Sequence, residues 1–365
     1  MFTACNDARV DEDIAEDIAA IVGAIEANGL SYDAIYLVGS FGRSEGTAYF
    51  DGDRWRAVND YDLLIISPAI VNDASILKKL GHELAKILRV DFVDIGWVPR
   101  SALRDLSPSI ANYDLKNASV CLAGHDILAD IPTFDAKEIP AFEFVQLICN
   151  RIAGILSTKL PFFTRSPHYC ANQYAKACIA VGDVAIYLRK EYHPSYRERK
   201  QIFVSLAKTH QIPFFLSDDA VALVISAYAH KLSNGATEGF DIDDMLMRDM
   251  IESAFLAAAV QCVGQKVDSV EAAREALIKY HSKRRSFIER VDDLVCVWIR
   301  RDKSRASALR YRILFSLPAV YIEYPPTTVG RWISYVSNYW PIPGALSKGS
   351  ADLTSIMWLW EEYCH

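Results

Sequence analysis

The sequence predicts an α+β protein in which an α/β portion spanning residues 1–135 precedes a mainly helical portion spanning residues 136–365. Three observations predict it. Short apolar runs rich in β-branched and aromatic residues alternate with helix-periodic stretches through Val98. A short polar stretch bracketed by Pro132 and Pro140 then breaks the pattern. Almost everything beyond it repeats with helical periodicity.

From Asp11 to Asn28, Ile14, Ile18, Ile21, Val22 and Ile25 recur at three-to-four-residue spacing, which describes an amphipathic helix ended near Gly29. Ala34 to Val38 reads as a strand that Gly39-Ser40-Phe41-Gly42 breaks sharply. Thr47 to Val58 reads as two short strands around an Asp-Gly turn, an inserted hairpin. Tyr61 to Ile66 is a further strand, Ser75 to Leu88 a helix, and Val90 to Val98 another strand. Past the boundary, helices are expected at 141–160, 168–191, 196–210, 218–233, 243–264, 269–302 and 306–322. An aromatic-rich tail through Trp332, Trp340, Trp358 and Trp360 is expected to serve as core or interface.

The 365 residues exceed the usual size of one domain, and 51% hydrophobic residues provide for two cores. A net charge of -7 argues against a broad basic surface for nucleic acid, although a local basic cleft stays open. The eight cysteines are scattered, with no CxxC pair or zinc-ligand spacing, and read as reduced and mostly buried. The acidic, helix-patterned N-terminus does not resemble a secretory signal, and no apolar run is long enough to span a bilayer. A cytoplasmic protein without a membrane partner is expected. No histidine lies in an HExxH or comparable spacing.

One constellation carries chemistry. A strand leads into Gly39-Ser40-Phe41-Gly42-Arg43-Ser44-Glu45-Gly46, and Asp60-Tyr61-Asp62 opens the strand that follows the hairpin. Glycines permit the close backbone approach that exposed amides and the Ser40 hydroxyl need to hold a triphosphate. Residues two apart on a strand share a face, so Asp60 and Asp62 present two carboxylates side by side. Such oxygens are the hard ligands magnesium prefers, and the pair repels itself unless a cation sits between. Asp91 and Asp94, on the next strand, point to opposite faces, so at most one completes the set; Asp94 is chosen because it lies late in the strand, with Asp91 as fallback.

Gly39-Ser40 followed by Asp60-Tyr61-Asp62 between apolar residues resembles the polymerase-beta nucleotidyltransferase superfamily, over roughly residues 30–130. GSFGRSEG looks closest to the branch of minimal and aminoglycoside nucleotidyltransferases. The nineteen residues between Ser40 and Asp60 exceed the family's usual spacer, and the hairpin accounts for the excess. The resemblance implies a nucleotidyltransferase domain with a mixed sheet, Gly39 and Ser40 on the β and γ phosphates, and Asp60, Asp62 and Asp94 as catalytic metal ligands for two Mg2+ ions. It further implies transfer of an NMP from an NTP to an acceptor hydroxyl, with pyrophosphate released. Arg43 is expected to support the phosphates or the loop.

On the helix around 168–191, Asn172, Lys176, Asp183 and Tyr187 fall within about 60° of one another on an otherwise apolar surface. Such a stripe faces a cleft or a buried polar network. Lys176 resembles a basic residue that contacts the triphosphate in related enzymes, and the loop from Glu191 to Arg199 is placed at the acceptor pocket. A small-molecule acceptor is expected, since acidic charge disfavours a polynucleotide. The alternatives are a protein or tRNA acceptor, as the toxin-antitoxin branch implies, and a non-catalytic nucleotide-binding regulator. Retention of Ser40, Asp60 and Asp62 together speaks against the last.

Overall fold

The computed structural model describes residues 1–5, 7–58, 60–68, 75–159, 167–233, 243–284, 311 and 313–322. Its N-terminal part begins with α1 (Ala8–Ala27), whose first turn is capped by the Asp7 carboxylate accepting from the Arg9 amide at 3.0 Å. Then come β1 (Ala34–Leu37), the single turn α2 (Gly39–Gly42), β2 (Ala48–Phe50), β3 (Trp55–Ala57), β4 (Asp60–Ser67), α3 (Ser75–Leu88), β5 (Phe92–Pro99), α4 (Ile110–Ala118) and β6 (Val120–Gly124). The expected break after β1 is thus one turn of helix. The expected hairpin is present, with Phe50 opposite Trp55 across its loop. The sequence pattern missed α4 and β6.

Four strands form one sheet in the order β5-β4-β1-β6. β1 runs antiparallel to both β4 and β6, whereas β4 and β5 are parallel because α3 carries the chain back between them. The sheet is therefore mixed. One face is covered by α1 and α3, whose Ile14, Ile21, Leu77 and Leu84 pack against Ile35, Leu63 and Ile65. The other face buries Tyr36, Ile66, Leu103 and Leu115. The chain is α+β, with its described strands in the N-terminal part and helices dominating beyond.

The second part contains α5 (Ala141–Thr158), α6 (Pro167–Leu188), α7 (Tyr196–Lys208), α8 (Asp218–Lys231), α9 (Asp244–Val263), α10 (Val270–Arg284) and α11 (Leu317–Ile322) among the described residues. α6 is its spine. Small residues such as Ala177, Ala180, Val181 and Ala185 leave it buried on nearly every side and let α5, α8 and α9 approach closely. Residues 285–302 and 306–310 of the expected helices, and the aromatic tail, lie outside the described residues. Among the described cysteines, Cys149, Cys178 and Cys262 are buried, Cys121 and Cys170 half-buried and Cys5 exposed, so burial is less general than expected; none of them forms a disulfide. No helix among the described residues is long and apolar enough to cross a membrane.

Candidate functional site

Strand alternation builds the centre of the site. Tyr61, Leu63 and Ile65 of β4 are buried in the core below the sheet, which turns Asp60 and Asp62 to the opposite face. Parallel register sets Asp62 directly beside Asp94 of β5. One carboxylate oxygen from each of Asp60, Asp62 and Asp94 lies within 4.8 Å of the others. Asp94 belongs to this cluster, whereas Asp91 precedes β5 and lies outside it.

The Gly39 turn folds directly over these acids. The Val38 amide donates to the Asp62 carbonyl at 2.9 Å, and Gly39 then adopts φ +64° to start α2. A β-carbon at position 39 would collide with the Asp62 carboxylate, so glycine is required both for the backbone angle and for the close approach. Ser40 follows, almost wholly buried.

The segment after the turn is locked to the helical part. Buried Glu45 accepts from the Ser195 hydroxyl at 2.7 Å and from the Tyr196 and Arg197 amides at 2.8 and 3.0 Å. It therefore satisfies the open N-terminus of α7, where a carboxylate also meets the positive end of the helix dipole. Arg43 donates to Asp114 at 3.1 Å, pairs with Glu45 at 3.7 Å and lies over the Tyr196 ring at 4.7 Å. These contacts tie Arg43 to its own turn, to α4 and to α7.

The stripe on α6 divides as follows. Lys176 places Nζ 3.5 Å from an Asp60 oxygen. Asn172 accepts from Lys231 of α8 at 3.4 Å. Asp183 forms a buried ion pair with Arg199 and accepts from the Tyr228 hydroxyl at 2.7 Å. Tyr187 instead stacks on Phe144 with ring centroids 4.0 Å apart and belongs to the core.

These groups enclose a cavity of about 310 Å³. Asp60, Asp62, Gly39 and Ser40 form one wall, and Lys176, Lys231, Arg151 and Arg199 bring positive charge from four different helices. Tyr192 of the connecting loop and Tyr196 and Arg199 of α7 line the same cavity, so the expected loop from Glu191 to Arg199 is helical from Tyr196 onward. The sequence reading missed Asp114, Arg151 and Lys231, and placed Arg199 only within a loop.

Burial pushes the Asp62 carboxyl up to about 7, and the neighbouring Asp60 charge adds to the rise against the pull of Lys176. Burial likewise holds Asp114 up at about 6 despite Arg43. Burial, reinforced by Lys176, pushes the Lys231 ammonium down to about 7. Between that value and the ordinary lysine value of 10.5, the unfolded chain binds a proton that the native chain does not, so stability rises with pH through this window. Lys231→Met is expected to flatten the rise, measured by urea unfolding at about pH 7 and about pH 9; an unchanged slope would refute the assignment.

No protein-family model, curated protein or solved structure matches the chain.

Proposed function

We propose that the protein is a magnesium-dependent nucleotidyltransferase of the polymerase-beta type, moving an NMP from an NTP to the hydroxyl of a small-molecule acceptor with release of pyrophosphate. The observation that carries this reading is a cavity lined by Asp60, Asp62, the Gly39 turn and five basic side chains, with Asp94 completing the carboxylate cluster beside it. Basic side chains alone would suit any anion, and clustered acids alone would suit any cation. Side by side, they suit a polyphosphate bound together with a divalent metal.

The donor set fits magnesium. It consists of carboxylate oxygens within 4.8 Å of one another, and their mutual repulsion is relieved by a divalent cation. Asp60, Asp62 and Asp94 would hold it, as one or two ions. Magnesium bound there would polarise the α-phosphate and neutralise charge developing on the departing pyrophosphate.

In this reading the chain's own groups position the reactants. Ser40 and the Gly39 turn hold the terminal phosphates, with Lys176 supplying compensating charge from the opposite wall and Lys231 a further hydrogen-bond donor. Asp94, which the sequence predicts as the third carboxylate, takes the proton of the attacking hydroxyl. Closure by α6 and α8 limits water, which would otherwise compete with the acceptor.

The test is incubation with each of the four α-labelled NTPs and magnesium, with and without cell extract. Magnesium-dependent label transfer accompanied by pyrophosphate supports the proposal, and no turnover of any NTP under either condition refutes it. Lys176→Ala is expected to weaken NTP binding on the order of tenfold, the effect of removing a charge-assisted contact. Calorimetric affinity equal to that of the wild type would take Lys176 out of the site.

A further inference from the structure

A second cavity, of about 480 Å³, lies between β5 and α4, and it differs in kind from the first. Leu64, Val98, Leu106 and Leu115 give it apolar walls. Gly39, Arg43, Asp62 and Asp114 line both cavities, so whatever occupies the two meets at the carboxylates. Asp94 lines only the second.

We propose that this second cavity receives the acceptor, and that the acceptor is an uncharged molecule whose apolar body carries the reactive hydroxyl. The proposal rests on the transferase reading above and adds the chemical class of the second substrate.

The argument is one of division. Lys176, Lys231, Arg151 and Arg199 all face the first cavity and none faces the second. Among the described residues, the only basic side chain lining the second is Arg43, which is engaged with Asp114 and Glu45. An RNA end or other polyanion placed there would set its phosphates beside Asp94 with no lysine to meet them. A polycation would lose its hydration against leucine and valine walls.

An apolar body loses nothing of the kind, and its burial is favourable. The volume falls within the range of about 300–1,000 Å³ common to small-molecule sites. Asp94, Gly96 and Val98 alternate onto one face of β5, and the absent side chain at Gly96 leaves the floor open.

Polar groups are few and placed where orientation matters. Asn112 lines one wall, its amide nitrogen donating to the Ser107 carbonyl at 2.9 Å and its amide oxygen able to accept. Asp114 Oδ1 is buried with no hydrogen-bond partner, and so can accept from the acceptor. In the transfer, the hydroxyl oxygen bonds to the α-phosphorus as the bond from that phosphorus to the bridging oxygen of the β-phosphate breaks. Pyrophosphate leaves and the hydroxyl proton passes to Asp94.

The test uses the full chain and three probes of different class: 2-phenylethanol, glucose and a hexauridylate, each followed by saturation-transfer NMR. Gly96→Val narrows the floor, where a β-carbon would reach Leu64 at 3.4 Å, an ordinary contact. Ala111→Trp blocks the exposed rim of α4 without entering the core. Melting curves establish that both variants fold.

The expected result is binding of 2-phenylethanol in preference to the other probes, weakened at least about fivefold by either variant, with NTP affinity unchanged. Preference for glucose or the hexauridylate overturns the proposal. So does absence of 2-phenylethanol binding, or binding that neither variant weakens. If 2-phenylethanol binds and the variants weaken it while no NTP binds with magnesium, the ligand class of the cavity stands and the transferase reading fails.

Discussion

Replacing both Asp60 and Asp62 by Asn is expected to reduce NMP transfer on the order of a thousandfold or more, while leaving the fold intact and its metal-free form more stable than the wild type. The first part follows from removing two of the three clustered carboxylates, because metal stabilisation of transition-state charge is worth several kcal/mol, each 1.4 kcal/mol being about tenfold in rate. The second follows from the cost the native chain bears in packing like charges together. Burial and Asp60 together push the Asp62 carboxyl up to about 7, so its charged form is disfavoured in the native state. Asparagine fills the same space without charge. Single-turnover transfer and thermal unfolding without magnesium test the two parts; equal transfer by both proteins sinks the site assignment, and a lower melting temperature in the variant sinks the repulsion argument.

Arg199→Ala is expected to cost about 3–5 kcal/mol of stability, the effect of stripping one partner from a buried ion pair. Asp183 would keep its bond from Tyr228 and the smaller influence of Arg151 and Arg43 to offset its charge. Arg199 also lies over the Tyr192 and Tyr196 rings at 5.2 and 4.2 Å, so truncation loosens the aromatic wall of the cavity. Replacing the pair together, with Asp183→Leu and Arg199→Met, is expected to restore much of the loss, since buried pairs often exchange for apolar ones at little cost. Urea unfolding of the three proteins decides it. A loss under about 1 kcal/mol in Arg199→Ala would show that the pair is solvated in practice.

The legible parts of the molecule are those governed by local period. Ser75 to Leu88 is read as a helix to the residue, because Leu77, Leu80, Leu84 and Leu88 recur on one side of it. Asp60 and Asp62 share a face because two residues is the repeat of a strand, whereas Asp91 drops out because it lies before β5 begins. The inserted hairpin is legible from Asp51-Gly52 between aromatic residues.

What was missed depends on distance along the chain. Lys231 ends a helix whose own pattern says nothing of a cavity, and it arrives there through packing of α8 on α6. Asp114 sits on α4, a helix of nine residues with a weakly apolar face, beside a five-residue strand; neither offers enough repeats to register. Glu45 and Ser195 are separated by 150 positions, so no local signal couples them.

That coupling bears on how the chain divides. Residues 1–135 look separable by composition, yet an excised fragment would carry Glu45 stripped of the three donors that now receive it, and the remainder would begin α7 with bare amides. Each half thus holds a plug cut for the other's socket. Exchanging either half would keep the joint only where the incoming piece carried its own member of the pair, the carboxylate or the serine.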